Sequence, residues 1–357
     1  MFCGAAGADV IHRRGAQTPL EGELVRLDLG GAILRTQTGA EHVVPLDHVR
    51  SIECDGHRTD LDDMLQLADE LWRARTRVER RDTVLAEPQL ERLYAACRGE
   101  SHETALVVAE GLLRCRLAHG RQVLAILPAL DVMRLRRSGI ETDAFVTLAD
   151  VIDPAYELCQ GLPPAWIDTR GLSRLANDLQ NYEDGGDAVV AAIADLYRRL
   201  AMLQLGRVVE RLDSASLPDH EGVELLADIV RTSDPDAGTR ASARQRLQRR
   251  GSRGAAWVDA WCRFAIGRSY LRESGTGRRE RGLIQLAHVP ARHGAGQPFL
   301  SGLALEEMAR GVESIGDSAS ALAIREELVR RYPAHPILAA PPPTQRTPAS
   351  FNDRDAS

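Results

Sequence analysis

Residues Phe299 to Leu338 read FLSGLALEEMARGVESIGDSASALAIREELVRRYPAHPIL. Leu303, Leu305, Met308, Ala309 and Val312 recur three and four positions apart, which lays an apolar stripe along one face of a helix. Gly316-Asp317 supplies a left-handed C-cap and the next N-cap. Beyond it, Ala319, Leu322, Ala323, Leu328 and Val329 give a second helix a buried face of its own. Tyr332-Pro333 closes the pair, because proline has no backbone N–H and disfavours helix in the residue before it. Two helices cannot bury both stripes against each other alone, so the pattern calls for neighbours stacked on them.

Related patterns recur upstream. Leu61, Met64, Leu65, Ala68, Leu71 and Trp72 share one helical face after a Thr59-Asp60 cap, and Ala86, Leu90 and Leu93 follow Arg81-Asp82, with Arg where a turn glycine is usual. Ala109, Leu112, Leu113 and Leu117 precede Gly120; Val189, Ile193, Leu196, Tyr197 and Leu200 follow Gly185-Gly186-Asp187; Trp257, Trp261 and Phe264 precede Ile266 to Tyr270. Small Ala309, the Gly316-Asp317 turn, small Ala321 and terminal Pro333 resemble a tetratricopeptide repeat, and the upstream units resemble degenerate ones. The resemblance implies a solenoid of about four or five helical hairpins whose first helices line a concave face that holds protein or peptide partners. Aligned on their turns or small contact residues, the units place Arg75, Arg114, Arg268 and Arg310 after Ala74, Leu113, Gly267 and Ala309, with Gln180 in the remaining unit. On this resemblance the four arginines lie on or beside the groove. Their guanidinium forks suit an acidic peptide or a C-terminal carboxylate. The competing reading pairs them with the chain's own acids, such as Glu110 and Glu306.

Residues 9–56 follow another period. Val10-Ile11, Gly22 to Leu27, Ala32 to Thr36, His42 to Val44 and Val49 to Ile52 are short runs separated by Gly, Pro, Asp and Thr, which predicts five strands. Gly30-Gly31 and Thr38-Gly39 suit hairpin turns, and Pro45-Leu46-Asp47 suits a short 3₁₀ link before the last strand. The pattern resembles the small SH3-like or Sm-like barrels. The fold class expected is therefore α+β, mainly α: a small β-barrel at 9–56, helical repeats at 59–138 and 171–338, an irregular crossing at 139–170 and a disordered Pro-rich tail at 339–357. The crossing is marked by Asp153-Pro154, Gly161 and Leu162 to Trp166, and is expected to be ordered because Ile152, Leu162 and Trp166 favour burial.

The composition, 44% hydrophobic and 27% charged, is that of an ordinary globular chain. All 45 basic residues are Arg, and the net charge of -6 provides no global attraction to nucleic acid or anionic lipid. Six cysteines show neither CxxC pairing nor metal-ligand spacing, so neither a metal nor a cofactor is expected. No run reaches the roughly 20 apolar residues of a membrane helix. Residues 1–8, MFCGAAGA, end in a small-x-small triplet. They are either the end of a signal peptide, giving a periplasmic or exported chain, or a small apolar cap on a cytoplasmic one.

Asp60, Asp62 and Asp63 suit the dipole at a helix start and lack the glycine and distal glutamate of a calcium loop. Ser274 to Gly277 lacks the Lys-Ser of a phosphate loop, His288 and His293 lie five apart with Pro290 expected to interrupt the helix, and HExxH and GxSxG are absent. The chain therefore reads as a protein-interaction scaffold, not an enzyme. Two alternatives stay open: a nucleic-acid adaptor using the barrel and the Arg240–Arg253 run, and an enzyme with a site between barrel and solenoid.

Overall fold

Period-two burial builds the first layer. In the computed structural model, which describes residues 8–54 and 61–339, the expected runs become β1 (Asp9–Arg13), β2 (Leu20–Asp28), β3 (Gly31–Arg35), β4 (Glu41–Val44) and β5 (Val49–Glu53). They bury Ile11, Leu24, Leu34, Val44 and Ile52. A 3₁₀ turn spans Leu46–His48 before β5. Gly31 sits at φ +124°, where a Cβ would lie 2.3 Å from the Val44 carbonyl oxygen, so the β2–β3 turn needs glycine. The strand order β4-β3-β2-β1-β5 is antiparallel and open, with β4 and β5 at opposite edges, which corrects the expected closed barrel. Closure is displaced by a helix: α1 (Leu61–Glu79) packs on β5, β2 and the 3₁₀ turn. It covers apolar surface that a barrel would close on itself.

Eleven more helices follow among the described residues: α2 (Thr83–Cys97), α3 (Glu103–Ala118), α4 (Gln122–Arg137), α5 (Thr169–Gln180), α6 (Ala188–Gln204), α7 (Glu221–Arg231), α8 (Ala237–Gly251), α9 (Ala256–Leu271), α10 (Thr276–His293), α11 (Pro298–Glu313) and α12 (Ser318–Arg331). Each packs against the next in a helical-repeat-like arrangement, and one apolar core runs from the sheet to α11. The helix starts follow local chemistry, with Asp168, Asp187, Asp236 and Asp317 accepting from first-turn amides. Contrary to expectation α10 continues through Pro290. Leu286, Val289 and Pro290 are buried on it, so packing on neighbouring helices offsets the hydrogen bond that proline removes.

The end of the array departs further from the sequence reading. Only Ala321 and Leu328 of α12 are buried, whereas Leu322 and Val329 are 60% and 53% exposed and Ala319 and Ala323 also face outward. No described α-helix follows α12, so the stripe that an inner unit would cover stays open. His335 seals the other side. It is buried against Gly302 and stacked on Phe299, its Nδ1 accepts from the Ile337 amide, and its Nε2–H donates to the Phe299 carbonyl at 2.8 Å. Both ring nitrogens are thus used by the neutral imidazole, and burial holds its pKa below the ordinary histidine value. A lowered folded-state pKa means that the unfolded chain binds the proton more tightly. Stability contributed here is therefore complete above about pH 6.5 and lost as the pH falls below it. Denaturant melts from pH 8 to 5 should show a shallower acid loss for His335→Gln than for the native chain.

Residues 138–168 connect α4 to α5, and they are ordered as expected. They lie against α3, α7 and α9. Phe145 packs by Gly111 of α3, and the Ala149 carbonyl accepts from Arg114. Tyr156 meets the ring of Trp257 on α9 edge-on at 5.2 Å, and its carbonyl oxygen sits 2.1 Å from where a Gly222 Cβ on α7 would be. On the return, the Leu162 carbonyl accepts from Tyr197 and Gln204 holds the backbone of Trp166 at both its N–H and its carbonyl. Part of the face that the resemblance reserves for a partner is therefore covered by the chain itself.

Candidate functional site

The Arg240–Arg253 run lies on α8 and its C-terminal turn, and helical geometry splits it between two sides. Arg240 and Arg244 turn toward α9, where both donate to Glu273 and Arg244 lies over Tyr270. Burial opposes the charge on Glu273, but the hydrogen bonds from Arg244 and Arg240 outweigh it and hold the carboxyl below its ordinary range. Arg246, Arg249, Arg250 and Arg253 line a groove of about 1130 Å³ with α7 and the 205–220 connection.

That groove is built on a buried acid. Asp228 of α7 is 3% exposed and accepts from Arg231 at 3.1 Å and from Arg246 at 2.8 Å. Arg250 donates to Glu221 and Glu224, both in the first turn of α7, where acids also suit the helix dipole. Burial alone would lower the pKa of Arg250, but the two carboxylates raise it. Arg211, Arg231, Arg246, Arg249, Arg250 and Arg253 are matched in number by Asp219, Glu221, Glu224, Asp228, Asp234 and Asp236, so the lining carries no net charge at neutral pH. A phosphate backbone gains little from such a surface, since its binding rests on excess cations. Arg249 and Arg253 are nevertheless exposed at the mouth.

The four arginines singled out in the sequence are dispersed. Arg75 of α1 faces the sheet and donates to Asp47 at 2.5 Å. Arg114 donates to buried Glu110 at 2.6 and 3.0 Å and to the Ala149 carbonyl at 3.0 Å. Arg310 is held by Glu306 at 2.8 Å. None of these three lines either described cavity. Arg268, paired with Glu307 at 3.3 Å, borders a second, small cleft with Arg272, Trp261, Phe264 and Leu300. Burial lowers Arg272 to about 10. The pairing with Glu110 and Glu306 that competed with the ladder is what the geometry contains.

No family model, no curated protein and no solved structure matches the chain. Its chemistry therefore rests on its own geometry. Among the described residues, no three His, Cys, Asp or Glu side chains are grouped to hold a metal ion, and no helix is long and apolar enough to cross a membrane. Cys97, Cys115, Cys159 and Cys262 are buried and free, and burial pushes the first thiol up to about 11 and the others to about 12. The triplet at residues 6–8 and Cys3 fall outside the described residues except for Ala8, as do the Thr59-Asp60 cap and the tail beyond 339.

Sequence reasoning found the basic run but not the acids that meet it. Glu221, Glu224 and Asp228 lie on α7 with i, i+3 and i, i+4 spacings, which signals a polar stripe along one face. Nothing in the order of residues pairs that stripe with α8.

Proposed function

We propose that the chain is a protein-interaction scaffold, built as a degenerate tetratricopeptide-like solenoid that docks a protein or peptide partner. The observation that carries the reading is the groove between α7 and α8, large enough for an extended segment and lined by guanidinium and carboxylate groups in equal number. Such a lining favours a partner segment that offers both charges, because each exposed group then finds a complement and no single-sign field is left unsatisfied. The crossing segment on α3, α7 and α9 restricts the face that the resemblance would assign to a ligand, and the α7–α8 groove is the surface this reading assigns to docking instead.

A photo-crosslinking residue placed at exposed Ser242 inside the groove, and separately at exposed Arg174 on α5, tests this in an extract of the native cells. The expected result is a set of protein adducts from position 242 that position 174 does not give and that Arg249→Glu with Arg253→Glu diminishes. Identical adducts from both positions, or adducts indifferent to the charge reversal, would overturn the assignment.

A further inference from the structure

Outside the groove, where α2 begins and α3 finishes, three side chains meet that the docking function does not use. Thr83 opens α2, Glu87 lies one turn later on the same side, and His119 follows the last residue of α3. His119 Nδ1 is 2.5 Å from Glu87 Oε2, and its Nε2 is 3.0 Å from Thr83 Oγ1. A carboxylate only accepts, so Nδ1 carries the proton, and Nε2 is left with a lone pair for the Thr83 hydroxyl. Glu87 is 4% exposed and also accepts from Arg121 at 3.1 Å, which keeps a negative charge beside the ring and holds its orientation. Thr83 is half-buried, and the next residues, Val84 and Leu85, are 69% and 56% exposed, so the start of α2 reaches the surface. The Asp82 side chain makes no cap hydrogen bond to the first turn of α2.

We propose that Thr83, His119 and Glu87 form a nucleophile, general base and positioning residue that cleave activated esters of short aliphatic acids. A hydroxyl hydrogen-bonded to a ring nitrogen whose opposite N–H is held by a buried carboxylate is the arrangement that activates an alcohol toward an acyl carbon. Thr83 Oγ1 attacks the ester carbonyl while its proton passes to His119 Nε2, so an O–C bond forms. The ester C–O bond then breaks, and the departing alkoxide takes that proton. Water next gives a proton to Nε2 and attacks the acyl-threonine, and the proton returns to Oγ1 as the acid leaves. In this proposal the amides at the start of α2, which the Asp82 side chain does not cap, are the donors for the developing oxyanion. Exposed Val84 and Leu85 favour an apolar acyl chain over a charged one.

The test uses the full chain and p-nitrophenyl butyrate, following p-nitrophenolate release and mapping the butyryl group by mass spectrometry. The chain contains no lysine, so acylation of side-chain amines does not obscure the map. Butyryl-Thr83 is expected, and Thr83→Val and His119→Ala should each lower release by about 10²–10⁴-fold. Thr83→Ser should retain it, and Glu87→Gln should lower kcat with KM unchanged. Thermal melts show whether each variant is folded; should His119→Ala fail to fold, the near-isosteric Thr83→Val decides. Release by folded Thr83→Val at the native rate, or no release by the native chain above buffer, would overturn the proposal.

Discussion

Trp257→Ala should cost about 3–5 kcal/mol of folding stability, because it removes a large buried ring and leaves a cavity at the meeting point of two parts of the chain. The indole is 5% exposed, edge-on to Tyr156 at 5.2 Å and to Trp261 at 4.9 Å, and its Nε1–H donates to Asp153 at 3.0 Å. Asp153 in turn accepts from the amides of Ala155 and Tyr156, so the ring also fixes the tip of the crossing segment. Urea melts measure the loss, and amide exchange should show residues 150–160 losing protection first. Trp257→Phe keeps most of the apolar area and drops only the hydrogen bond, for about 0.5–1.5 kcal/mol plus a smaller packing term. Equal losses for the two variants would mean that the polar link, not the ring, holds the segment.

Arg75→Ala should cost a comparable amount, about 3–5 kcal/mol, for a different reason. Asp47 is 1% exposed in the 3₁₀ turn before β5, and Arg75 reaches it from α1 while also touching His48 Nε2 at 2.9 Å. Removing one member of a buried pair leaves the other desolvated without compensation. Arg75→Met with Asp47→Leu should recover most of the loss, since an apolar pair of similar volume needs no partner. If Arg75 instead met a protein partner, Arg75→Ala would weaken binding and leave the melt in place. A thermal melt of the single and double variants separates the two outcomes.

The strands and helices were legible because their signals are local. Alternation from Val10 to Ile52 and the three-and-four spacing around Leu303, Ala109 or Trp257 depend only on neighbours along the chain, and the described elements fall on those runs. Where a signal needed a second element, legibility ended. Leu322 and Val329 have the spacing of a buried stripe but face outward, because burial requires a following helix. Pro290 has the chemistry of a helix breaker, yet the packing around Val289 carries α10 through it. The arginine register meets the same limit: order along the chain is indifferent to whether Asp47, Glu110, Glu306 or Glu307 lies across the contact.

The sequence by itself determined the α+β class, the order of five strands before the helices, the turns at Gly120 and Gly316, and the ordered crossing between two helical blocks. Only the tertiary structure decided that the sheet stays open under α1, that the crossing covers α3, α7 and α9, and that acids on α7 meet Arg246 and Arg250 of α8. It also brought His119 onto Thr83 and Glu87. The division has a physical cause: secondary structure follows backbone periodicity over a few residues. Edges, grooves and side-chain relays depend instead on which surfaces meet, and the burial energy of many distant residues acting together settles that.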